Sequence, residues 1–266
     1  MKTEVIYSVR GPRNLPEMTW EEVAEALKLT DLIIIPVGST EEHGPHLALS
    51  ADTIQGTEVS RRIVAKLSED GIHAVAGPPI PFGVSSELMD FPGTITLTPT
   101  TLQTVIREVS ESLIRHGFRK FVLLMPHDGN FGAMYSAAQE LAQRSDVRVV
   151  VLNWVPALKK PLTEIYLSKQ AGHGGEGETA RVLASIPELV HLDRAQPYHP
   201  KKRDKLEGDE PMHFGGGVLD PPHGMKEETP IGSIGDPTVA TAETGEKCYD
   251  LIVDWSCKVI KRHFGL

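Results

Sequence analysis

The chain has 266 residues, 40% of them hydrophobic and 24% charged, with a formal net charge of −9. That length and balance suit one globular α/β domain spanning residues 1–266 with its own core, and they exclude a mainly disordered chain. The acidic charge argues against nucleic-acid or anionic-membrane partners, which need basic groups to displace counterions, and leaves a small molecule as the expected partner.

The first 18 residues lack the apolar core of a signal peptide, and no run nears the roughly 20 apolar residues that span a bilayer, so a cytoplasmic location is expected. Apolar residues at helical spacing predict a helix over residues 20–29. Residues 32–37 (LIIIPV) are continuously apolar, as a parallel strand buried on both faces requires. A helix is expected over 54–67, with Asp52 and Thr53 standing before it as caps. Further strands are expected over 73–78, 120–125 (KFVLLM) and 147–154. Helices are expected over 101–116, introduced by Pro99, and over 131–144. This alternation predicts a parallel sheet covered by helices on both faces.

The second half is less regular. Helices are expected over 178–185 and 241–262. Between them, residues 196–237 form a Gly/Pro/His-rich stretch too long for a plain connection, which reads as a lid, a subunit contact or a mobile segment. Cys248 and Cys257 match no zinc or redox spacing and are expected to be inert core thiols.

The chemistry concentrates at strand ends. The run GSTEEHGPHLALSAD (residues 38–52) follows the first strand, and open α/β sheets bind ligands beyond the carboxyl ends of their strands. Residues two apart in an extended segment project to one side, so Glu41 and His43 face one pocket while Glu42 faces away, and Asp52 points back from the next helix. The strand over 120–125 ends in PHDGN, which places His127 and Asp128 at the same height. A third cluster, AGHGGEGETA, brings His173, Glu176 and Glu178 to the start of a helix. Imidazole with carboxylate suits zinc, manganese or iron, and the two oxygens of Asp52 allow it to bridge two ions. Each cluster alone has a plainer reading as solvated residues, helix caps or satisfied loop histidines; their coincidence at adjacent strand ends carries the metal reading. Trp154, after a strand end, reads equally as core or as a surface on which substrate stacks.

The run PVGSTEEHGPHLALSAD resembles the opening motif of the creatininase family. The likeness continues through FPGTITL (residues 91–97), PHDGN, AGHGGEGET and PIGSIGDPTVATAETG (residues 230–245), and so covers nearly the whole chain. The resemblance implies a three-layer α/β/α sandwich with a mainly parallel sheet, commonly assembled as a hexamer. It also implies two divalent ions per subunit, zinc first, with Glu41 and His127 on one, His43 on the other and Asp52 between them.

Two departures stand out. Gly129 replaces a glutamate that binds the second ion in creatininase itself, so Glu178 becomes the candidate for that place, with Glu176 behind it. Leu88 stands where related sequences often carry histidine. Both argue for a substrate other than creatinine. The expected chemistry is attack of metal-activated water on the carbonyl of a small, cyclic or linear, amide, lactam or formamide. His173 would pass a proton to the leaving group, and Asp128 would orient a neighbour or act as a base. The alternatives are C–C bond hydrolysis of a cyclic 1,3-diketone such as an oxidised inositol, a non-catalytic metal- or sugar-binding module, and a purely structural subunit without metal. Trp154, Met89 and the loop over 198–223 are the expected pocket walls.

Overall fold

The protein is described from a computed structural model covering residues 14–200 and 224–266. Most of the loop over 198–223, expected as pocket wall, lies outside the described residues.

Four parallel strands run in the order β2-β1-β3-β4: β1 (Leu32–Pro36), β2 (Val75–Ala76), β3 (Lys120–Leu124) and β4 (Arg148–Leu152). In β1 every residue is buried, as the unbroken apolar run predicts. Successive side chains leave opposite faces of the sheet and build two separate cores. Leu32, Ile34, Val122, Leu124 and Leu152 meet α2 (Ala51–Glu69), α5 (Trp154–Ile165) and α8 (Ala242–Phe264). Ile33, Ile35, Phe121, Leu123 and Met125 meet α3 (Pro99–His116) and α4 (Phe131–Ala142), with α1 (Trp20–Leu27) leaning on the same layer through Val23 and Leu27. The result is the expected three-layer α/β/α sandwich. At roughly 1.5–3 kcal/mol for each large apolar side chain taken out of water, these layers dominate the folding energy. Outside them, α6 (Glu176–Ser185) packs on α2 and α8, and the short α7 (Met225–Glu228) follows the undescribed segment.

Three boundaries differ from the sequence reading. The ladder of β2 stops at Ala76, although Gly77 still donates to the Ile34 carbonyl at 2.7 Å; Pro78 and Pro79 have no N–H with which to continue it. The strand expected to reach Trp154 ends at Leu152, because Asn153 accepts from the Val155 amide and opens α5 there. That helix was hidden in the sequence by Pro156 and Pro161, of which the first falls in a first turn that tolerates proline. Finally, α2 begins at Ala51, so Asp52 and Thr53 lie inside its first turn and do not cap it. Thr53 Oγ1 instead donates to the Ser39 carbonyl at 3.0 Å. Cys248 and Cys257 are buried and unbridged, as expected. No described helix is long and apolar enough to cross a membrane.

Candidate metal centre

The register of the central ladder sets Pro36 beside Leu124, so the segments leaving β1 and β3 emerge together at one edge of the sheet. After β1 the chain stays extended, held by Glu41 N–H on the Leu49 carbonyl (2.8 Å) and by Ile95 N–H on the Thr40 carbonyl (2.9 Å). Gly38 lets the first turn of α2 settle on this crest: a Cβ there would stand 2.7 Å from Thr53 Oγ1 and 2.8 Å from Thr53 Cα. This close approach delivers Asp52 to the strand ends.

Four buried side chains and one partly buried one then converge. His127 Nδ1 lies 3.1 Å from Glu41 Oε1 and 3.5 Å from Asp52 Oδ2. His43 Nε2 lies 3.4 Å from Asp52 Oδ1 and 3.5 Å from Glu178 Oε2. Two ligand triads result, Glu41–Asp52–His127 and His43–Asp52–Glu178, each with its donor atoms within 4.8 Å of one another. They share Asp52, which turns one oxygen to each. A third grouping joins Glu41 and His43 to His173. Asp52 Oδ2 is buried without a hydrogen-bond donor, and an anionic oxygen in that state calls for a cation.

The imidazoles are oriented by main-chain carbonyls. His43 Nδ1 donates to the Glu41 carbonyl (3.2 Å), His127 Nε2 to that of Val84 (2.8 Å) and His173 Nε2 to that of Glu42 (2.7 Å). A carbonyl only accepts, so these nitrogens carry protons, and the opposite nitrogens face the clustered carboxylates, able to give a lone pair to an ion or to take up a second proton without one. His173 also stacks on His43 with ring centroids 4.3 Å apart.

Without metal the cluster balances its own charge. Burial opposes the charge on His127, but the Glu41 carboxylate outweighs it and pushes the imidazole up to about 10. Burial likewise opposes ionisation of Glu41, yet His127 at hydrogen-bond distance holds it well below the usual carboxylate range. Burial raises Asp52, with the Glu41 charge adding to it against the pull of His43. In Glu178 burial is overcome by His43, His173 and Arg181, and the group is lowered.

Several sequence expectations are resolved here. Glu178 reaches the second triad, with Gly174 N–H donating to its Oε2 at 2.7 Å. Glu176 does not: it is fully buried and accepts the Leu167 and Ser168 amides at 2.8 and 2.7 Å, closing the turn that precedes α6. At Gly129 no side chain fits, since a Cβ would meet the Val84 carbonyl at 2.2 Å. Asp128 stays outside the triads, accepting from Asn153 Nδ2 at 2.7 Å in the wall of the site. Glu42 does face away from both triads, as expected, but Oε1 lies 3.4 Å from His173 Nε2. Met89 is half exposed and does not line the cavity, contrary to expectation, because it sits on the outer end of a short 3-10 turn.

Two supporting residues lie outside the set expected from the sequence. Ser85 donates to Glu41 Oε2 at 2.5 Å and shares a 2.7 Å hydrogen bond with Ser39. Asn130 ties three segments, donating to the Val37 and Gly38 carbonyls while accepting from Val84 N–H. Asn130 belongs to the PHDGN run and could have been suspected; Ser85, in an unremarkable loop, could not.

The triads open into a cavity of about 400 Å³ whose walls include Leu88, Trp154, Leu162, Tyr166 and Met225. Trp154 is only 1% exposed, so it serves both as core and as cavity wall.

The family model described as creatinine amidohydrolase matches residues 16–260. The chain belongs to the creatininase family. Among its relatives, the creatinine amidohydrolase of Pseudomonas putida is 31% identical over 69% of this chain and 76% of its own length. A mycofactocin precursor peptide peptidase of Mycolicibacterium smegmatis is 30% identical over 88% and 86%. The 3-dehydro-scyllo-inosose hydrolase of Thermotoga maritima is 28% identical over 92% and 81%. A solved creatininase variant of Zn-Zn type superposes with a TM-score of 0.75 at 26% identity, covering 95% of this chain and 99% of that one. These creatininase-family relatives are all hydrolases, and creatininase structures of the same fold contain zinc or manganese.

Proposed function

We propose that this chain is a binuclear metal hydrolase that opens the C–N bond of a small amide, lactam or formamide other than creatinine. The observation that carries the reading is Asp52, whose two oxygens face two separate triads beside one cavity. Glu41 and His127 would hold one ion, His43 and Glu178 the other, and Asp52 both. Zinc or manganese so held would lower the pKa of a bound water toward neutrality and polarise the substrate carbonyl.

The protein's own groups supply the rest. Ser85 holds Glu41 by a hydrogen bond to Oε2, leaving Oε1 toward His127, and the carbonyls of Glu41 and Val84 present the correct lone pairs of His43 and His127. His173 Nδ1, 4.0 Å from Glu41 Oε1, is placed to give a proton to the departing nitrogen. The stack on His43 and the Glu42 carbonyl stop the His173 ring from turning away. Asp128, fixed by Asn153, orients the group bound at the cavity wall. Leu88, Leu162 and Trp154 exclude water from the scissile bond.

A second reading, hydrolysis of a C–C bond in a cyclic 1,3-diketone, is favoured by the Thermotoga relative, whose alignment takes in 92% of this chain. Metal quantification of the pure protein, followed by assays on formamides, lactams and cyclic diketones, decides between them. Two equivalents of metal with amide turnover support the first reading. Diketone turnover alone selects the second, and bound metal without any turnover means a non-catalytic module. By the same resemblance we infer a homo-oligomer, which light scattering on the eluting protein tests.

A further inference from the structure

Arg181 lies on α6 one turn beyond Glu178, is only 4% exposed and lines the cavity beside Tyr166 and Gly177. Its partners are all neutral. Nε donates to Gln55 Oε1 at 2.5 Å, Nη1 to the Tyr166 hydroxyl at 3.3 Å, and the Cys248 thiol lies against it. No carboxylate of the described residues reaches ion-pair distance of it; Glu178 acts on it only through space. The other buried arginine is treated differently: Arg61, 2% exposed, places Nη2 2.7 Å from each oxygen of Glu17. A buried guanidinium without an anion is costly, and folds rarely keep one without use. Beside it, Gln55 turns its carbonyl to Arg181, and its Nε2 is buried without an acceptor. Trp154 Nε1, in the cavity wall, also lacks one. Two residues of the cavity wall, Arg181 and Trp154, thus bring N–H donors to it.

Planar N–H forks match carboxylates. We propose that Arg181 is a specificity-determining residue that receives a carboxylate of the substrate, so that the molecule hydrolysed carries a carboxylate in addition to its scissile amide. The proposal rests on the hydrolase reading above for the amide, but not for the carboxylate. The three carboxylates of the two triads do not forbid it, since two divalent ions exceed their summed charge.

The test has two arms, both on the protein as purified with its metal content measured. The first compares kcat/KM for an N-formyl amino acid with that for the matching N-formyl amino amide. The second compares, by calorimetry, the binding of succinamate, which carries one amide and one carboxylate, with that of succinamide, which carries two amides. Wild type is expected to prefer the carboxylate member of each pair by roughly 10- to 100-fold, as a charge-assisted hydrogen bond would give. Arg181→Met should erase the ratio and Arg181→Lys keep part of it. Gln55→Glu retains the arginine but supplies an internal carboxylate, and should erase the ratio as well, which covers the case in which Arg181→Met does not fold. A wild-type ratio near one, or a ratio that survives in both Arg181→Met and Gln55→Glu, overturns the proposal. Absence of all amide turnover with an Arg181-dependent preference for succinamate over succinamide would sink the hydrolase reading and leave the carboxylate subsite standing.

Discussion

The two halves of the site are built in different ways. Glu41, His43, Asp52 and His127 come from the ends of β1 and β3 and the first turn of α2, where a buried ladder and a helix fix the backbone. Glu178, His173 and Arg181 come from a glycine-rich turn and α6, which lies outside the sheet's own helix layers. The crest sets the first triad on a backbone held by the sheet and the start of α2; the α6 side completes the second triad and lines the cavity. Chemistry is therefore expected to be lost by changes at the crest, and selectivity to be redirected by changes on α6.

The largest effect should follow from removing the residue that joins the triads. Asp52→Ala is expected to lower kcat by about 10³-fold or more, with loss of both ions in elemental analysis; retention of two equivalents would refute the bridging role. Glu178→Gln should cost roughly 10²-fold and about half the metal, whereas Glu176→Gln should leave metal content intact and lower stability by about 1–3 kcal/mol, because its amide oxygen can accept only one of the Leu167 and Ser168 N–H groups and its NH2 faces the other. Equal metal loss in the two variants would erase the distinction between them.

Proton linkage sharpens the same contrast. In the metal-free protein His127 is pushed up to about 10, from an ordinary 6.5, so an entering ion must displace its proton. Metal affinity should rise by about tenfold per pH unit for each proton displaced, up to pH 10. A raised folded-state pKa stabilises the fold fully below the unfolded value and loses that contribution as pH climbs to the folded one. The metal-free protein should therefore weaken between about pH 6.5 and 10, over the range in which the loaded form grips harder. Parallel melting curves of the two forms check this; a metal-free melting temperature that rises over that range would contradict it.

Smaller effects probe the supports. Ser85→Ala should reduce metal affinity by roughly 10- to 100-fold without removing a ligand, read by competition with a chelating dye. Gly129→Ala should destabilise by about 1–3 kcal/mol, because its Cβ meets the Val84 carbonyl. For the same reason Gly129→Glu should not restore creatinine hydrolysis, and measurable creatinine turnover in that variant would show that the loop yields.

The crest was legible because its signals are local. LIIIP and KFVLL announce strands buried on both faces, and the motifs after them announce ligands. In sequence Asp52 resembles a cap although it lies within the helix, since a carboxylate at a helix start suits both places. What escaped was long-range. Nothing near Arg181 in sequence marks it as buried, because its neighbours Gln55, Tyr166 and Cys248 come from three other elements. The shortness of β2 follows from Pro78 and Pro79, whereas α5 runs against the usual meaning of its internal Pro161.

All three imidazoles take their orientation from carbonyls at Glu41, Glu42 and Val84, groups every residue type possesses. Ring alignment thus belongs to the path of the chain and survives side-chain replacement at those supporting positions. A catalyst aligned in this way can keep its reactive geometry while its cavity walls change for one substrate after another. Hydrolases named for creatinine, for a precursor peptide and for an inosose are neighbours of this chain in sequence, and alignment by the main chain leaves room for that spread.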